Sequence, residues 1–224
     1  MFGKHKSLFG EKPKFNTSYD AVIIGGGLHG LAAAYFLARD HEMTNVAVIE
    51  KRYMGFGGSG RNTAIVRANQ RTQENVPLYR EALELWPVLT KELDYNLMFY
   101  NCGNLNLMHS EAAMNAARMN VATAQFLGVE SHLIDPKQCK DMVPALNISE
   151  DITYPIFGAM YHPPGGILRH DAIVWGLAKG SARKGVHIHQ NTEVTGIGVE
   201  NGKIASVDTT RGKIHTPKVL LAAG

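Results

Sequence analysis

The chain has 224 residues, 45% hydrophobic and 19% charged, with a net charge of +3. That is enough apolar material for a sizeable core, and no run of about 18 apolar residues offers a membrane span. The excess charge sits in residues 1–18, where Lys4, Lys6, Lys12 and Lys14 face Glu11, so the remainder is balanced and carries no nucleic-acid footprint.

Residues 1–18 read as a basic, disordered leader, with docking on a partner subunit as the second reading. They lack the apolar stretch of a secretory signal. Cys102 and Cys139 have neither CxxC nor metal spacing, which points to ordinary thiols in a reducing, cytoplasmic interior.

"YDAVIIGGG" (19–27) predicts a buried strand entering a glycine turn, and "LHGLAAAYFLARD" (28–40) a helix packed closely on a sheet. "NVAVIEK" (45–51) predicts a second buried strand. Strand, helix and strand with continuous apolar strands make a parallel βαβ unit.

The middle of the chain changes character. "ENVPLYREALELWPVLTKELD" (74–94) predicts a helix whose stripe of Val76, Tyr79, Leu83, Trp86, Leu89 and Leu93 packs on the core. "LMFYNCGNLNLMH" (97–109) predicts a hairpin about Cys102-Gly103. A helix capped by Ser110 and ended by Gly128 follows, then a strand in "DITYPIFGAMYHP" (151–163).

"RHDAIVWGLAKGSARKG" (169–185) predicts a helix ending at Gly185. Antiparallel strands then alternate with turns at Asn201-Gly202 and Arg211-Gly212, and His187 and His189 are expected at the surface of one of them. The closing "KVLLAAG" predicts a central buried strand beside the first. With nothing after it to cover it, the sequence reads as the N-terminal part of a larger protein. The expected architecture is α/β: a Rossmann-like GxGxxG domain with an antiparallel β-meander (residues 19–95 and 165–224) and part of an inserted α+β substrate or cap domain (96–164).

Gly25, Gly27 and Gly30 form GxGxxG between strand and helix. The first allows a tight turn, the second lets backbone approach a pyrophosphate, and the third lets helix and strand pack. Gly26, Leu28 and His29 lie in the same turn, His29 being expected as a solvent-facing filler. Glu50, followed by Lys51, stands where a carboxylate accepts hydrogen bonds from a ribose and would repel an NADP 2′-phosphate. "GFGGSGRNTAIVRANQ" (55–70), with Gly58, Ser59, Arg61, Asn62 and Thr63, offers donors to a second phosphate and a flavin edge. It favours FAD over NAD. Val194, Ala223 and Gly224 are placed near the same cofactor. No Ser-His-Asp set or metal-ligand cluster stands out.

"YDAVIIGGGLHGLAAAYFLA", "RNTAIVRANQ", "VPLYREALELWPVL", "GILRHDAIVWGLA" and "TTRGKIHTPKVLLAAG" together resemble the beta subunits of heterotetrameric sarcosine oxidases, within the D-amino-acid-oxidase-like FAD amine oxidases. The resemblance runs from Tyr19 to Gly224. It implies oxidation of sarcosine by hydride transfer to a non-covalent FAD. Electrons would pass to a covalent FMN and then to oxygen, giving hydrogen peroxide. Alpha, gamma and delta subunits are implied as partners.

The FMN link is implied at His170 in "LRHD", where a helix start disfavours imidazolium and keeps a nucleophilic imidazole. Arg169 would hold the FMN phosphate or ring. From the residues alone, His170 reads as an N-cap-like histidine. Arg67 matches the position of a substrate-carboxylate clamp, a task suited to a guanidinium, with a surface salt bridge as the other reading. A related amine or imino-acid dehydrogenase acting on proline or dimethylglycine, and an inactive flavin-binding or assembly subunit, remain as alternatives.

Overall fold

The computed structural model describes residues 13–69 and 72–224. The leader expectation falls largely on residues 1–12, outside the described residues. The chain divides into two compact units. The first comprises the described residues up to Thr63 together with Thr90–Leu97 and Arg169–Gly224, and the second comprises Ala64–Leu89 and Met98–Leu168.

The first unit begins with strand β1 (Ala21–Ile24), helix α1 (Leu28–Asp40) and strand β2 (Val46–Ile49), as the apolar pattern predicts. The second unit holds β3 (Ile65–Val66), most of α2 (Val76–Glu92), β4 (Asn104–Met108), α3 (Glu111–Phe126), β5 (His132–Ile134), α4 (Pro136–Met142), β6 (Gly158–His162) and β7 (Gly166–Ile167). The chain then returns to the first unit with α5 (His170–Arg183), β8 (His187–His189), β9 (Val194–Glu200), β10 (Lys203–Thr209), β11 (Gly212–His215) and β12 (Val219–Leu221).

In the first unit a parallel sheet of order β12-β1-β2-β8 lies between two layers. Alternation along β1 sends Ile23 toward α1, where its Cγ2 lies 3.3 Å from where a Gly30 Cβ would stand. The other face carries Val22, Ala47 and Ile49, which pack with Val207 and Ile214 of the β9-β10-β11 meander. Val22 and Ala47 are fully buried between these layers. A fully buried valine or isoleucine side chain contributes about 1.5–3 kcal/mol. Phe15 packs against the same cluster, and Thr17 O accepts the His215 N–H.

Three expectations for this unit change. β8 joins the parallel sheet beside β2 and is not antiparallel. His189 is 2% exposed, because alternation turns both histidines toward Tyr19, whose hydroxyl lies 2.9 Å from His187 Nδ1 and 3.1 Å from His189 Nε2. β12 does run parallel beside β1, but it stands at the edge of the sheet among the described residues, and Leu221 is 68% exposed.

In the second unit β4, β6 and β5 form an antiparallel sheet with β6 central. Met160 packs under Ala117 and Val121 of α3, and Ser110 Oγ caps α3 by accepting the Ala113 N–H. The expected hairpin about Cys102-Gly103 does not form. Tyr100 exchanges backbone bonds with Ile167, Gly103 N–H donates to Gly165 O, and β4 pairs with β6. Long-range ladders win because each side of the turn finds a better-matched partner than the other.

Candidate functional site

The glycine turn leaves β1 at Gly25, which adopts φ +115°. A Cβ there would lie 2.2 Å from Ala222 O, so the turn closes against the chain just past β12. A Cβ on Gly30 would lie 2.1 Å from Gly25 O. Side chains are excluded at both positions for steric reasons, and α1 starts tight against the sheet. The positive end of its dipole opens at this mouth, with Gly27 at the N-cap.

Glu50, one residue past β2, closes the turn from the side. Its Oε2 accepts the Gly26 N–H at 2.8 Å and its Oε1 accepts the Arg52 N–H at 2.8 Å. Thr192 N–H donates to Glu50 O, which fixes the strand end to the segment leading into β9. The carboxylate thus stands against the glycine turn, where ribose recognition would require it.

Ser59 sits in a short 3-10 turn, Gly58–Gly60. Its Oγ accepts the Leu28 N–H at 2.9 Å, and a Cβ on Gly27 would lie 3.0 Å from that oxygen. Gly55 N–H donates to Gly26 O, and Met54 N–H to Gln190 Oε1. The second glycine loop is therefore tied directly to the first. Together they make a glycine-rich cradle at a helix start, which fits the pyrophosphate of a dinucleotide.

The remaining expected residues divide. Arg61 Nε donates to Gly57 O, and Asn62 Nδ2 donates to Gly58 O and Ser59 O. These two side chains brace the loop with donors that the sequence reading had assigned to a phosphate. His29, Lys51 and Thr63 are exposed, as are Ala223 and Gly224 beyond β12. Val194 packs on the Val22–Ile49 cluster, two residues after the Thr192 bond to Glu50.

His170 is the first residue of α5, and Arg169 occupies the N-cap without a side-chain cap bond. The histidine is thus one position inside the helix and is not the cap. Its Nδ1 is buried without a hydrogen-bond partner. The Arg169 fork engages Asp171 through Nε at 2.7 Å and Nη2 at 3.0 Å. Burial pushes the Asp171 carboxyl up, but the guanidinium and the Ala172 N–H outweigh it and hold it below the usual range.

In the second unit Arg67 follows β3. Its Nη1 donates to Asn106 Oδ1 at 3.4 Å. Sequence reading missed Asn106 and Gln190, and it missed His162, whose ring lies beside the Ala68 backbone. Asn106 and His162 sit inside short strands and Gln190 just past one, where a polar residue carries no local signal of its partner.

Residues 20–224 match the family described as FAD dependent oxidoreductase. The chain is 43% identical to the sarcosine oxidase subunit beta of Arthrobacter sp over 222 residues, covering 99% of this chain and 55% of that protein. It is 42% identical to the subunit of the same name from Rhizobium meliloti, covering 95% of this chain and 51% of that one. Among solved structures it resembles L-proline dehydrogenase from P. horikoshii with a TM-score of 0.85 and 29% identity, over 93% of this chain and 53% of that one. The chain spans about half the length of these relatives. With nearly its whole length matched and the glycine turn, acid and cradle in place, the chain belongs to the FAD dependent oxidoreductase family.

Proposed function

We propose that this chain is the flavin-binding part of an amine-oxidising subunit that acts on sarcosine within a multi-subunit enzyme. The observation that carries the reading is the Glu50–Gly26 bond at the head of α1, beside the Ser59–Leu28 bond. It occurs in a chain 43% identical to a sarcosine oxidase beta subunit. Gly25, Gly27, Gly30 and Ser59 would hold the pyrophosphate of a non-covalent FAD, and Glu50 its ribose. Bound FAD supplies the two-electron acceptor for oxidation of the amine.

Arg67 binds the substrate carboxylate, a task for which a guanidinium fork is suited. His170 attaches a second flavin, FMN, from which electrons reach oxygen. Its partnerless buried Nδ1 supports a ring whose surroundings are completed by another group. Alpha, gamma and delta subunits complete the assembly.

The test is a substrate panel of sarcosine, dimethylglycine and proline on the purified protein, followed by denaturation and measurement of chain-bound flavin fluorescence. Sarcosine turnover with hydrogen peroxide release, and fluorescence lost in His170→Ala, support the reading. Preference for another amine overturns the substrate. Flavin that washes away completely overturns the His170 link, and flavin binding without any turnover favours an assembly subunit.

A further inference from the structure

We infer that His162 is a positioning residue for Arg67: its Nε2 anchors the Ala68 N–H and so sets the direction in which Arg67 offers its guanidinium. The inference rests on the carboxylate reading of Arg67 given above.

β3 is only two residues long and, among the described residues, pairs with β7 alone. Past Val66 no strand pairing continues among the described residues, yet Ala68 is 1% exposed, and a buried N–H there needs an acceptor. His162 Nε2 supplies it at 3.2 Å. The other ring nitrogen, Nδ1, lies 2.6 Å from Glu130 O. A carbonyl can only accept, so Nδ1 carries the proton and Nε2 offers its lone pair to Ala68. One tautomer satisfies both partners.

Strand register adds the second hold. His162 stands opposite Asn104, and Met160 opposite Asn106, so His162 and Asn106 project from the same face of the sheet. Asn106 accepts from the Arg67 guanidinium. Neighbouring strands β6 and β4 therefore hold the two ends of one residue, its following amide and its head group.

The ring must stay neutral for this. Burial lowers the His162 pKa, the Arg67 charge acts in the same direction, and the Glu130 carbonyl and carboxylate oppose them. Arg80 and Glu84 are the other charged groups lining the cavity of about 320 Å³ that His162 borders. Protonation would turn Nε2 into a donor facing a donor.

The experiment titrates acetate into the purified protein and follows the Arg67 side-chain N–H by NMR, in wild type, His162→Asn and His162→Gln. Asparagine keeps a donor for Glu130 but does not reach Ala68, whereas glutamine reaches Ala68 with an acceptor oxygen. His162→Asn is expected to bind acetate about tenfold more weakly, the loss of one buried hydrogen bond. His162→Gln should stay within about threefold of wild type on the same basis.

Equal weakening in both variants, or no weakening in His162→Asn, overturns the inference and leaves the carboxylate reading of Arg67 standing. No acetate response in wild type overturns that reading, and the inference with it. Should His162→Asn fail to fold, the ring ¹⁵N shifts of wild type decide: a protonated Nε2 overturns the proposal, and a bare Nε2 with a protonated Nδ1 supports it.

Discussion

Glu50 grips Gly26 across the mouth of the βαβ unit, with one carboxylate oxygen on the Gly26 N–H and the other on the Arg52 N–H, each at 2.8 Å. Both oxygens act as acceptors. An amide has one acceptor oxygen and one donor nitrogen, so Glu50→Gln sets an N–H₂ against one of two backbone donors. Its FAD dissociation constant should rise about tenfold or more, equivalent to about 1.4 kcal/mol, with unchanged far-UV circular dichroism. FAD quenching titrations measure this, and an unaltered constant would reduce Glu50 to a structural brace.

Gly30 tests the packing half of the motif. Its Cβ would meet Gly25 O at 2.1 Å, whereas a Cβ on Gly58 meets nothing within 4 Å. Gly30→Ala should lose roughly 3 kcal/mol of stability through overpacking against rigid backbone. Gly58→Ala should stay within about 0.5 kcal/mol of wild type, as open positions usually do. Urea midpoints compare the two, and equal stabilities would contradict the close approach.

Acid should unfold the first unit through His189. Burial lowers its pKa to about 4, with the Arg211 and His187 charges acting in the same direction. Unfolded, the ring titrates near its ordinary value of about 6.5. Between these values the unfolded chain binds a proton that the native ring refuses. Stability is therefore flat above about 6.5 and falls as pH drops toward 4, by up to ~3 kcal/mol. Melting temperatures across pH 4–7 follow it, and His189→Gln, which keeps a polar partner for Tyr19, should flatten the slope.

The part of the fold that was legible in the sequence is the part whose signals are local. Apolar runs bounded by glycine marked β1, α1 and β2, and Glu50 could be placed by counting from Gly30. The capping serine of α3 and the glycine after α5 were legible for the same reason. What failed depended on distant partners. The segments either side of Cys102-Gly103 look like a hairpin until β6 and Ile167 compete for them. His187 and His189 look like surface residues until Tyr19, some 168 residues away in sequence, supplies a hydroxyl to both.

The most direct measurement is FAD binding by the purified protein and by Gly27→Val, a substitution that drives a side chain toward Ser59 Oγ at the start of α1. The account predicts one FAD per chain, displaced by ADP, and loss of that binding in a Gly27→Val protein that still folds. A Gly27→Val protein that folds and binds FAD as wild type does would contradict it.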